Sequence, residues 1–146
     1  MKIKLRSKSK FIPVNVPKIF NQEKINVKKC LEEGWISSEG KYVKKFEQTF
    51  SKYNKRIYGI AVSSGTAALE ISMKSLNLRK GDEIIIPSFS IISTALCVIK
   101  LGLKPILVDS DLKTWNMDSA QVIKKITKKT KAIIITHIYG FPVDMK

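Results

Sequence analysis

A run of small and hydroxyl-bearing residues, Ser63-Ser64-Gly65-Thr66, stands between an apolar segment and a helical pattern. A glycine lets the backbone approach a ligand closely, and the first turn of a helix has N–H groups without intrahelical partners. Such a helix start binds phosphate through these N–H groups and the positive end of the helix dipole. The same residues also suit a simple N-cap, in which Ser64 or Thr66 accepts a hydrogen bond from the first turn. The loop alone leaves both interpretations open.

This loop differs from the two common glycine-rich phosphate loops. No second and third glycine follow at the GxGxxG spacing, and no Gly-Lys-Ser/Thr follows as in a P-loop. A dinucleotide-binding or P-loop nucleotide-binding protein is therefore not indicated.

Polar residues also stand at the ends of three later apolar runs. They are Ser88 and Ser90, then Asp109 and Asp111, and then His137. His137 is the only histidine and has no neighbouring cysteine or histidine cluster, so the sequence predicts no metal site and no nucleophile–histidine–acid set. The two aspartates could be acids, but Val-Asp-Ser-Asp after a strand is also common in turns. No catalytic residue is assigned within the chain.

Four short runs rich in Ile and Val supply the strands that would position these residues. Each shows little polar alternation, which is typical of strands buried on both faces. Helical patterns lie between them: one from Leu69 that stops near Gly81, one over residues 90–101, and one that follows a predicted N-cap at Asp118. Alternating strands and helices predict an α/β fold with a parallel sheet, whose ligands gather at the carboxyl ends of the strands. The predicted strands are Ile57–Val62, Glu83–Pro87, Pro105–Asp109 and Ala132–Ile138.

The first part of the chain has a different pattern. Residues 1–20 are basic and punctuated by proline, which predicts an extended N-terminal arm. Residues 22–33 predict a helix with Asn21 as the cap and Gly34 as the stop. After a polar loop over residues 34–41, apolar residues from Val43 to Tyr53 recur at helical spacing and predict an amphipathic helix.

The composition is that of a folded domain. Hydrophobic residues make up 44% of the 146 residues, no run reaches the roughly 18 apolar residues of a membrane helix, and the basic N-terminus lacks the apolar core of a secretory signal. Cys30 and Cys97 lie in apolar helical patterns without a CxxC motif. These features predict a cytoplasmic protein with ordinary reduced thiols and no membrane partner.

The net charge of +15 comes mainly from lysine. Of 27 basic residues three are arginines, at positions 6, 56 and 79, which leaves 24 lysines spread along the chain. Proteins that read nucleic-acid sequence favour arginine, because its planar fork pairs bidentately with guanine and phosphate. A compositional preference for lysine explains the charge as well as a nucleic-acid function does, and we predict no specific nucleic-acid partner.

Five sequence blocks carry a resemblance to a known family over about residue 12 to the end of the chain. Together they resemble the N-terminal part of the DegT/DnrJ/EryC1/StrS family of sugar-nucleotide aminotransferases, in its perosamine-synthase-like branch. These enzymes depend on pyridoxal 5′-phosphate (PLP). The blocks occur in this order and at the family's spacing: GWISSEGKYVKKFEQTF, VSSGTAALEISM, GDEIIIPSFS, KPILVDSDLKTWNMD and HIYGFPVDM.

The resemblance implies a fold and an activity. The fold would be the aspartate-aminotransferase type, PLP fold type I, with residues 21–146 as part of the large domain. The family works as a homodimer. It transfers an amino group, usually from glutamate, to a keto-deoxy sugar linked to a nucleotide, in the synthesis of amino sugars for surface polysaccharide.

The resemblance also assigns site residues. Gly65 and Thr66 would hold the cofactor phosphate with Ser64 beside them, in agreement with the independent argument from the helix start. The segment after Pro87 would pass over the cofactor ring. Many members have an aromatic residue four positions after this proline, where this chain has Ile91, so the ring contact would be apolar packing with Phe89 nearby. A separate set, from the loop over residues 34–40, would contact substrate near the dimer interface: Trp35, Ile36 and Ser37.

Two groups that the cofactor chemistry needs lie beyond the matching blocks. PLP requires a lysine that binds it covalently and an acid that keeps its pyridine nitrogen protonated. In the family the acid stands in a motif resembling EDAAQ and the lysine in a later serine-rich loop, and neither motif occurs in this sequence. We therefore expect this chain to be part of a longer enzyme and inactive alone. The alternatives are a non-catalytic remnant and a basic phosphate-binding or nucleic-acid-binding module.

Overall fold

The computed structural model describes residues 11, 13 and 15–145. Contacts divide the chain into two compact units, the first ending at Ala61 and the second beginning at Val62. Most of the predicted arm over residues 1–20 lies outside the described residues, and its separation from residues 21–146 stays a prediction. Among the described helices, none combines the length and the apolar character needed to cross a membrane.

The first unit begins with helix α1, Asn21–Glu32. The prediction of Asn21 as the N-cap is wrong by one position, because Phe20 occupies the cap. Phenylalanine has no side-chain acceptor for the first turn. One of the two hydrogen bonds of a capping box is nevertheless present, since the Glu23 carboxylate accepts a hydrogen bond of 2.9 Å from the Phe20 N–H.

The end of α1 follows the prediction that Gly34 stops the helix. Gly34 has a φ of +74°, a left-handed conformation that glycine adopts without a Cβ penalty. Two N–H groups then turn back onto the last helical carbonyls: Gly34 N–H donates to Leu31 O and Trp35 N–H to Cys30 O, at 3.2 and 2.9 Å. This Schellman arrangement fixes the backbone at which Trp35 leaves the helix.

The second helix of this unit is α2, Lys41–Tyr53, and it confirms the predicted amphipathic helix. Its apolar residues recur on one side, where the rings of Phe46 and Phe50 stack with centroids 5.5 Å apart. Both rings remain about half exposed within the described part of the chain.

The prediction of a strand over Ile57–Val62 is wrong. These residues form no ladder within the described chain, and the side chains of Ile57 and Tyr58 are 86% and 85% exposed. The segment instead runs beside α2, where the Glu47 carboxylate accepts a hydrogen bond of 2.8 Å from the Ala61 N–H. An apolar run becomes a strand only when a neighbouring strand takes its N–H and C=O groups, and the sequence pattern does not reveal that partner.

The second unit is built on a parallel sheet of three described strands. They are β1 (Glu83–Pro87), β2 (Lys104–Val108) and β3 (Thr130–Ile133), in the order β2-β1-β3. Every residue of the central strand β1 is buried, as predicted, whereas β2 and β3 are only partly buried. The predicted α/β class with a parallel sheet is confirmed, with three strands where four were expected.

Strand β3 ends five residues before the predicted end at Ile138, and Pro87 explains why. Ile134 N–H donates to Ile85 O at 2.9 Å, so alternate residues of β1 turn their backbone groups toward β3. The next residue with that orientation is Pro87, which has no N–H to donate. The ladder therefore stops, and the chain passes into a short 3-10 helix, Ile138–Gly140.

Helices cover both faces of this sheet. Helices α3 (Gly65–Ser75) and α4 (Ser93–Lys100) pack on the face of β1 that carries Ile84 and Ile86, and helix α5 (Ser119–Lys125) packs on the face that carries Ile85. The alternation of these isoleucines between the two faces is the two-residue period of a strand. The first core also contains Met73, Cys97, Val98 and Leu103, and the second contains Val108 and Met117.

Two helix ends in this unit follow the sequence signals, whereas α3 ends at Ser75, earlier than the predicted stop near Gly81. The Asp118 carboxylate accepts hydrogen bonds from the N–H groups of Ala120 and Gln121, so its prediction as the cap of α5 is confirmed. Gly102, with a φ of +70°, ends α4, and Leu103 N–H donates to Val98 O at 3.1 Å. This tight turn delivers the chain directly into β2.

Glu83, at the start of β1, is expected to make the stability of the second unit depend on pH. Its buried carboxylate accepts hydrogen bonds from the Thr127 hydroxyl at 2.6 Å and the Lys104 ammonium at 3.2 Å. The Thr127 bond first and the Lys104 bond second hold the pKa of Glu83 below its ordinary value of 4.5. A lowered folded-state pKa gives stability that is complete above the unfolded pKa and is lost as the pH falls through the folded one.

Urea unfolding between about pH 6 and about pH 3 tests this expectation. The free energy of unfolding should fall with pH below 4.5, and Glu83→Gln should have a shallower fall because it cannot titrate. Equal slopes for the two proteins would contradict the assignment to Glu83.

Candidate functional site

The carboxyl ends of β1 and β3 lie where the strand order of the sheet reverses. After β1 the chain adds β2 on one side and then crosses to add β3 on the other. In open parallel sheets such a switch point is where ligands bind. The segments after Pro87 and after Ile133 leave the sheet at this point, so their side chains form its surroundings.

The start of α3 combines the two interpretations that the sequence left open. Ser64 is the N-cap, and its Oγ accepts a hydrogen bond of 3.2 Å from the Ala67 N–H. Ser64 O accepts a further bond from the Ala68 N–H. Within the described residues no hydrogen bond engages the N–H groups of Gly65 and Thr66. The cap is therefore formed, and two donors of the first turn stay available to an anion.

The fold of the described residues does not require a glycine at position 65. The φ of Gly65 is not positive, and a Cβ built on it would meet no heavy atom of the described chain within 4 Å. A glycine at Gly59, in contrast, is required by packing, because a Cβ there would lie 2.7 Å from Glu47 O. The open space over Gly65 is what a close-approaching phosphate needs, so the residues present fit such a group.

The hydroxyl of Thr66 contacts the start of another helix. Thr66 Oγ1 lies 2.8 Å from Ser93 Oγ, and Ser93 is the first residue of α4. Both residues are half-buried. Two helix N-termini thus approach each other beside the switch point, and each contributes a partial positive charge to the space around this pair.

A second group of hydroxyls lies at the same end of the sheet. Ser90 Oγ is 3.1 Å from Thr94 Oγ1 and 3.0 Å from Thr136 Oγ1. This chain of hydrogen bonds joins the segment after β1 to the segment after β3. The predicted polar residue Ser90 therefore ties the two segments together, and Thr94 and Thr136 are contacts that sequence spacing did not indicate.

The two apolar residues of the segment predicted to pass over the cofactor ring, Phe89 and Ile91, differ in their exposure and packing. Ile91 is 70% exposed, and Phe89 packs at 5.8 Å between ring centroids against Trp115. The Phe89 ring also lines a cavity of about 460 Å³. The other residues that line this cavity are Lys113, Thr114, Trp115, Ile138, Tyr139 and Phe141.

Asn116 holds the walls of this cavity together. It is 4% exposed, and its Nδ2 donates to the carbonyl oxygens of Phe141 and Pro142, each at 3.2 Å. Its Oδ1 accepts a hydrogen bond of 3.1 Å from the Ile138 N–H. The Asn116 amide therefore donates two hydrogen bonds and accepts one. Asn116 thus ties the loop after β2 to the segment after β3.

The other polar residues at the strand ends have structural partners. The Asp111 carboxylate accepts from the N–H and hydroxyl of Thr114 and from the Lys113 N–H, and these bonds, led by the Thr114 N–H, lower its pKa. His137 Nδ1 accepts a hydrogen bond of 3.0 Å from the Val143 N–H. These contacts favour the turn interpretation of Asp111 and give His137 a structural hydrogen bond. The described residues contain no group of three or more His, Cys, Asp or Glu side chains arranged to hold a metal.

The predicted substrate residues lie in the first unit. Trp35 and Ile36 line a cavity of about 480 Å³ with Tyr42 and residues of α1, and Ile36 is largely exposed. Ser37 Oγ accepts a hydrogen bond of 3.4 Å from the Glu39 N–H. The contact of Trp35, Ile36 and Ser37 with substrate stays a prediction.

The comparison with known proteins matches these features to one family. The profile of the DegT/DnrJ/EryC1/StrS aminotransferase family covers residues 17–146. The chain belongs to this family. A GDP-perosamine synthase of Escherichia coli O157:H7 is 43% identical over 137 residues, which are 94% of this chain and 38% of that relative. The chain therefore spans well under half of the length of the curated relative that it matches.

Solved structures agree with the membership in the DegT/DnrJ/EryC1/StrS family. An E. coli GDP-4-keto-6-deoxy-D-mannose-3-dehydratase with bound hydrated PLP matches with a TM-score of 0.81 at 31% identity, over 90% of this chain and 35% of that one. A GDP-4-keto-6-deoxymannose-3-dehydratase with a trapped PLP-glutamate geminal diamine matches equally well and over the same shares of the two chains. The predicted fold class and PLP as the cofactor of this family are confirmed.

Besides Thr94 and Thr136, the sequence reasoning missed Ser93 and Asn116. A signal for Ser93 was present, because Ser93 and Thr94 stand near the start of the helical pattern predicted over residues 90–101. With a strand predicted before each helix, the two helix starts would lie at one edge of the sheet, so the sequence could have placed Thr66 and Ser93 on the same side. Asn116 gave no such signal, since an asparagine between turn residues is ordinary.

Proposed function

We propose that this chain supplies the phosphate-binding part of a PLP-dependent aminotransferase that acts on a nucleotide-linked keto-deoxy sugar, with glutamate as the amino donor. The 43% identity to a GDP-perosamine synthase supports a GDP-linked sugar and a role in amino sugar synthesis. The PLP-glutamate adduct in a similar structure supports glutamate. The observation that carries the proposal is the start of α3, with its open space over Gly65 and its two available N–H donors.

Each residue of the helix start has a separate role in holding the phosphate. Gly65 and Thr66 donate their N–H groups, and the Thr66 hydroxyl donates a third hydrogen bond. Ser64 keeps the first turn in place through its bond to the Ala67 N–H. Charge-assisted bonds of this kind are about twice as strong as neutral ones. When bound, PLP supplies the electron sink for amino-group transfer.

The apolar residues after β1 exclude water from one side of the cofactor ring. Ile91 is exposed and has the space to pack on a ring, while Phe89 is held by Trp115 beside it. We assign contact with the nucleotide sugar to Trp35, Ile36 and Ser37, on the resemblance of their loop to the family's.

We further propose that the complete enzyme needs groups beyond the phosphate-binding part. The lysine that binds PLP and the acid that protonates its ring nitrogen belong to motifs outside the blocks found in this sequence, so this chain alone is inactive. Residues 21–146 are part of the large domain of a cytoplasmic homodimer. The protein has no specific nucleic-acid partner, because its charge resides in dispersed lysines.

A PLP-dependent dehydratase is the second candidate, because such enzymes are among the similar solved structures. The identity to the dehydratase is 31%, against 43% to the GDP-perosamine synthase. Amino-group transfer is therefore the activity that the comparisons favour.

Binding of PLP and of pyridoxal, which lacks the phosphate, tests the proposal. We expect the 146-residue chain to bind PLP at least about tenfold more tightly than pyridoxal by isothermal titration calorimetry, because one or more charge-assisted hydrogen bonds depend on the phosphate. Excess inorganic phosphate should weaken PLP binding only. Equal affinities for the two compounds would rule out the phosphate site.

A further inference from the structure

We propose that Ser93 is a positioning residue of the cofactor site. Its hydroxyl donates to Thr66 Oγ1 and thereby directs the hydrogen of the Thr66 hydroxyl toward the phosphate. The inference rests on the proposed function, since it takes PLP as the ligand, and it adds a residue of α4 to a site otherwise built on α3.

The direction of the Thr66–Ser93 hydrogen bond follows from the chemistry of the ligand. At 2.8 Å either hydroxyl can be the donor. A phosphate monoester near pH 7 has a charge of about −1.5 to −2 and acts almost entirely as an acceptor, so Thr66 must donate to it. A hydroxyl has one hydrogen, and Thr66 therefore accepts from Ser93. The two bonds in series polarise each other, which strengthens the bond to the phosphate.

The position of Ser93 is fixed by the packing of its helix. Thr94 N–H donates to Ile91 O at 3.0 Å and Ala95 N–H donates to Ile92 O at 3.1 Å, which sets the first turn of α4. Helices α3 and α4 then share the core that contains Met73 and Cys97. The separation of the two hydroxyls is thus determined by the fold. Without Ser93, nothing else in the described chain fixes the rotation of the Thr66 hydroxyl.

No nearby hydroxyl replaces Ser93. Ser90, three residues earlier, is already bonded to both Thr94 and Thr136. Ser64 accepts the bond from the Ala67 N–H as the cap of α3. Among the described residues, Ser93 is consequently the only one whose hydroxyl forms a hydrogen bond with the Thr66 side chain.

A double-mutant cycle on the 146-residue chain tests the inference. The variants are Ser93→Ala, Thr66→Ala and the pair together, with Ser93→Thr as the conservative rescue and Ser75→Ala as a control at an exposed serine late in α3. The readouts are the affinities for PLP and pyridoxal, the 31P chemical shift of bound PLP, and the circular dichroism spectrum as a check of the fold.

We expect Ser93→Ala to weaken PLP binding about tenfold and to leave pyridoxal binding unchanged. The 31P shift should move in this variant and return in Ser93→Thr. In the Thr66→Ala background, loss of the Ser93 hydroxyl should have no further effect, because the two residues act in series. Ser75→Ala should match the unmodified chain.

Additive effects of the two alanine substitutions would overturn the inference, and so would equal weakening of PLP and pyridoxal by Ser93→Ala. If the unmodified chain prefers PLP and Ser93→Ala binds it equally well, only the role of Ser93 is lost. If the unmodified chain does not distinguish PLP from pyridoxal, the proposed function and the role of Ser93 are both lost.

Discussion

Replacement of Gly65 by alanine is expected to lower the affinity for PLP about 100-fold and to leave the fold intact. A phosphate that accepts from the N–H groups at a helix start lies close to the backbone, and a Cβ would occupy part of its space. Loss of about two charge-assisted hydrogen bonds accounts for a change of this size. The fold does not oppose the change, because the new methyl group would meet no heavy atom of the described chain within 4 Å.

The stability of the Gly65→Ala variant shows whether a loss of PLP affinity comes from the missing phosphate space or from damage to the fold. Alanine restricts the unfolded chain more than glycine, so the free energy of unfolding should be unchanged or higher by up to about 1 kcal/mol. Calorimetric titration with PLP, with pyridoxal as the control ligand, and urea unfolding of the same sample measure both quantities. A variant that binds PLP normally, or one that loses stability and both ligands together, would refute the role given to Gly65.

Replacement of Asn116 by alanine is expected to lower the free energy of unfolding of the second unit by about 3 kcal/mol. The substitution removes the hydrogen bonds to the Ile138 N–H and to the carbonyl oxygens of Phe141 and Pro142. Buried polar groups left without partners cost about 1 to 3 kcal/mol each, and part of this cost is relieved where water can reach them. The segment after β3 would then lose its attachment to the loop after β2.

Urea unfolding measures the effect of Asn116→Ala, and Asn54→Ala is the matched control. Asn54 is exposed and makes a single side-chain hydrogen bond, from its Nδ2 to Phe50 O. Its replacement should cost less than about 1 kcal/mol. Similar losses for the two variants would show that Asn116 is not the tie between the two segments.

The sequence predicted the centre of the second unit well and its margins less well. The bounds of β1 were predicted without error, because a strand buried on both faces reads as an uninterrupted apolar run. The end of β3 was placed too late, since the apolar run continues to Ile138 while the missing N–H of Pro87 ends the ladder. The end of β3 is thus determined by Pro87 on the neighbouring strand, and the local sequence of β3 does not contain that information.

The same distinction applies to the candidate site. Ser64, Gly65 and Thr66 could be found because a helix start that binds phosphate is built from consecutive residues. The Thr66–Ser93 contact joins residues 27 positions apart, and the ties of Asn116 span 22 to 26 positions. Such contacts depend on how α4 and the segment after β3 pack on the sheet. A single sequence gives the elements but not the distances between their side chains.

The central position of β1 has a consequence for the order in which the second unit forms. The ladder between β1 and β2 closes a shorter loop than the ladder between β1 and β3, which must wait for residues 130–133. Shorter loops cost less entropy to close, so the β1–α4–β2 crossover should assemble first, also on the ribosome. Until β3 arrives, one side of β1 is an open strand edge that another chain could pair with.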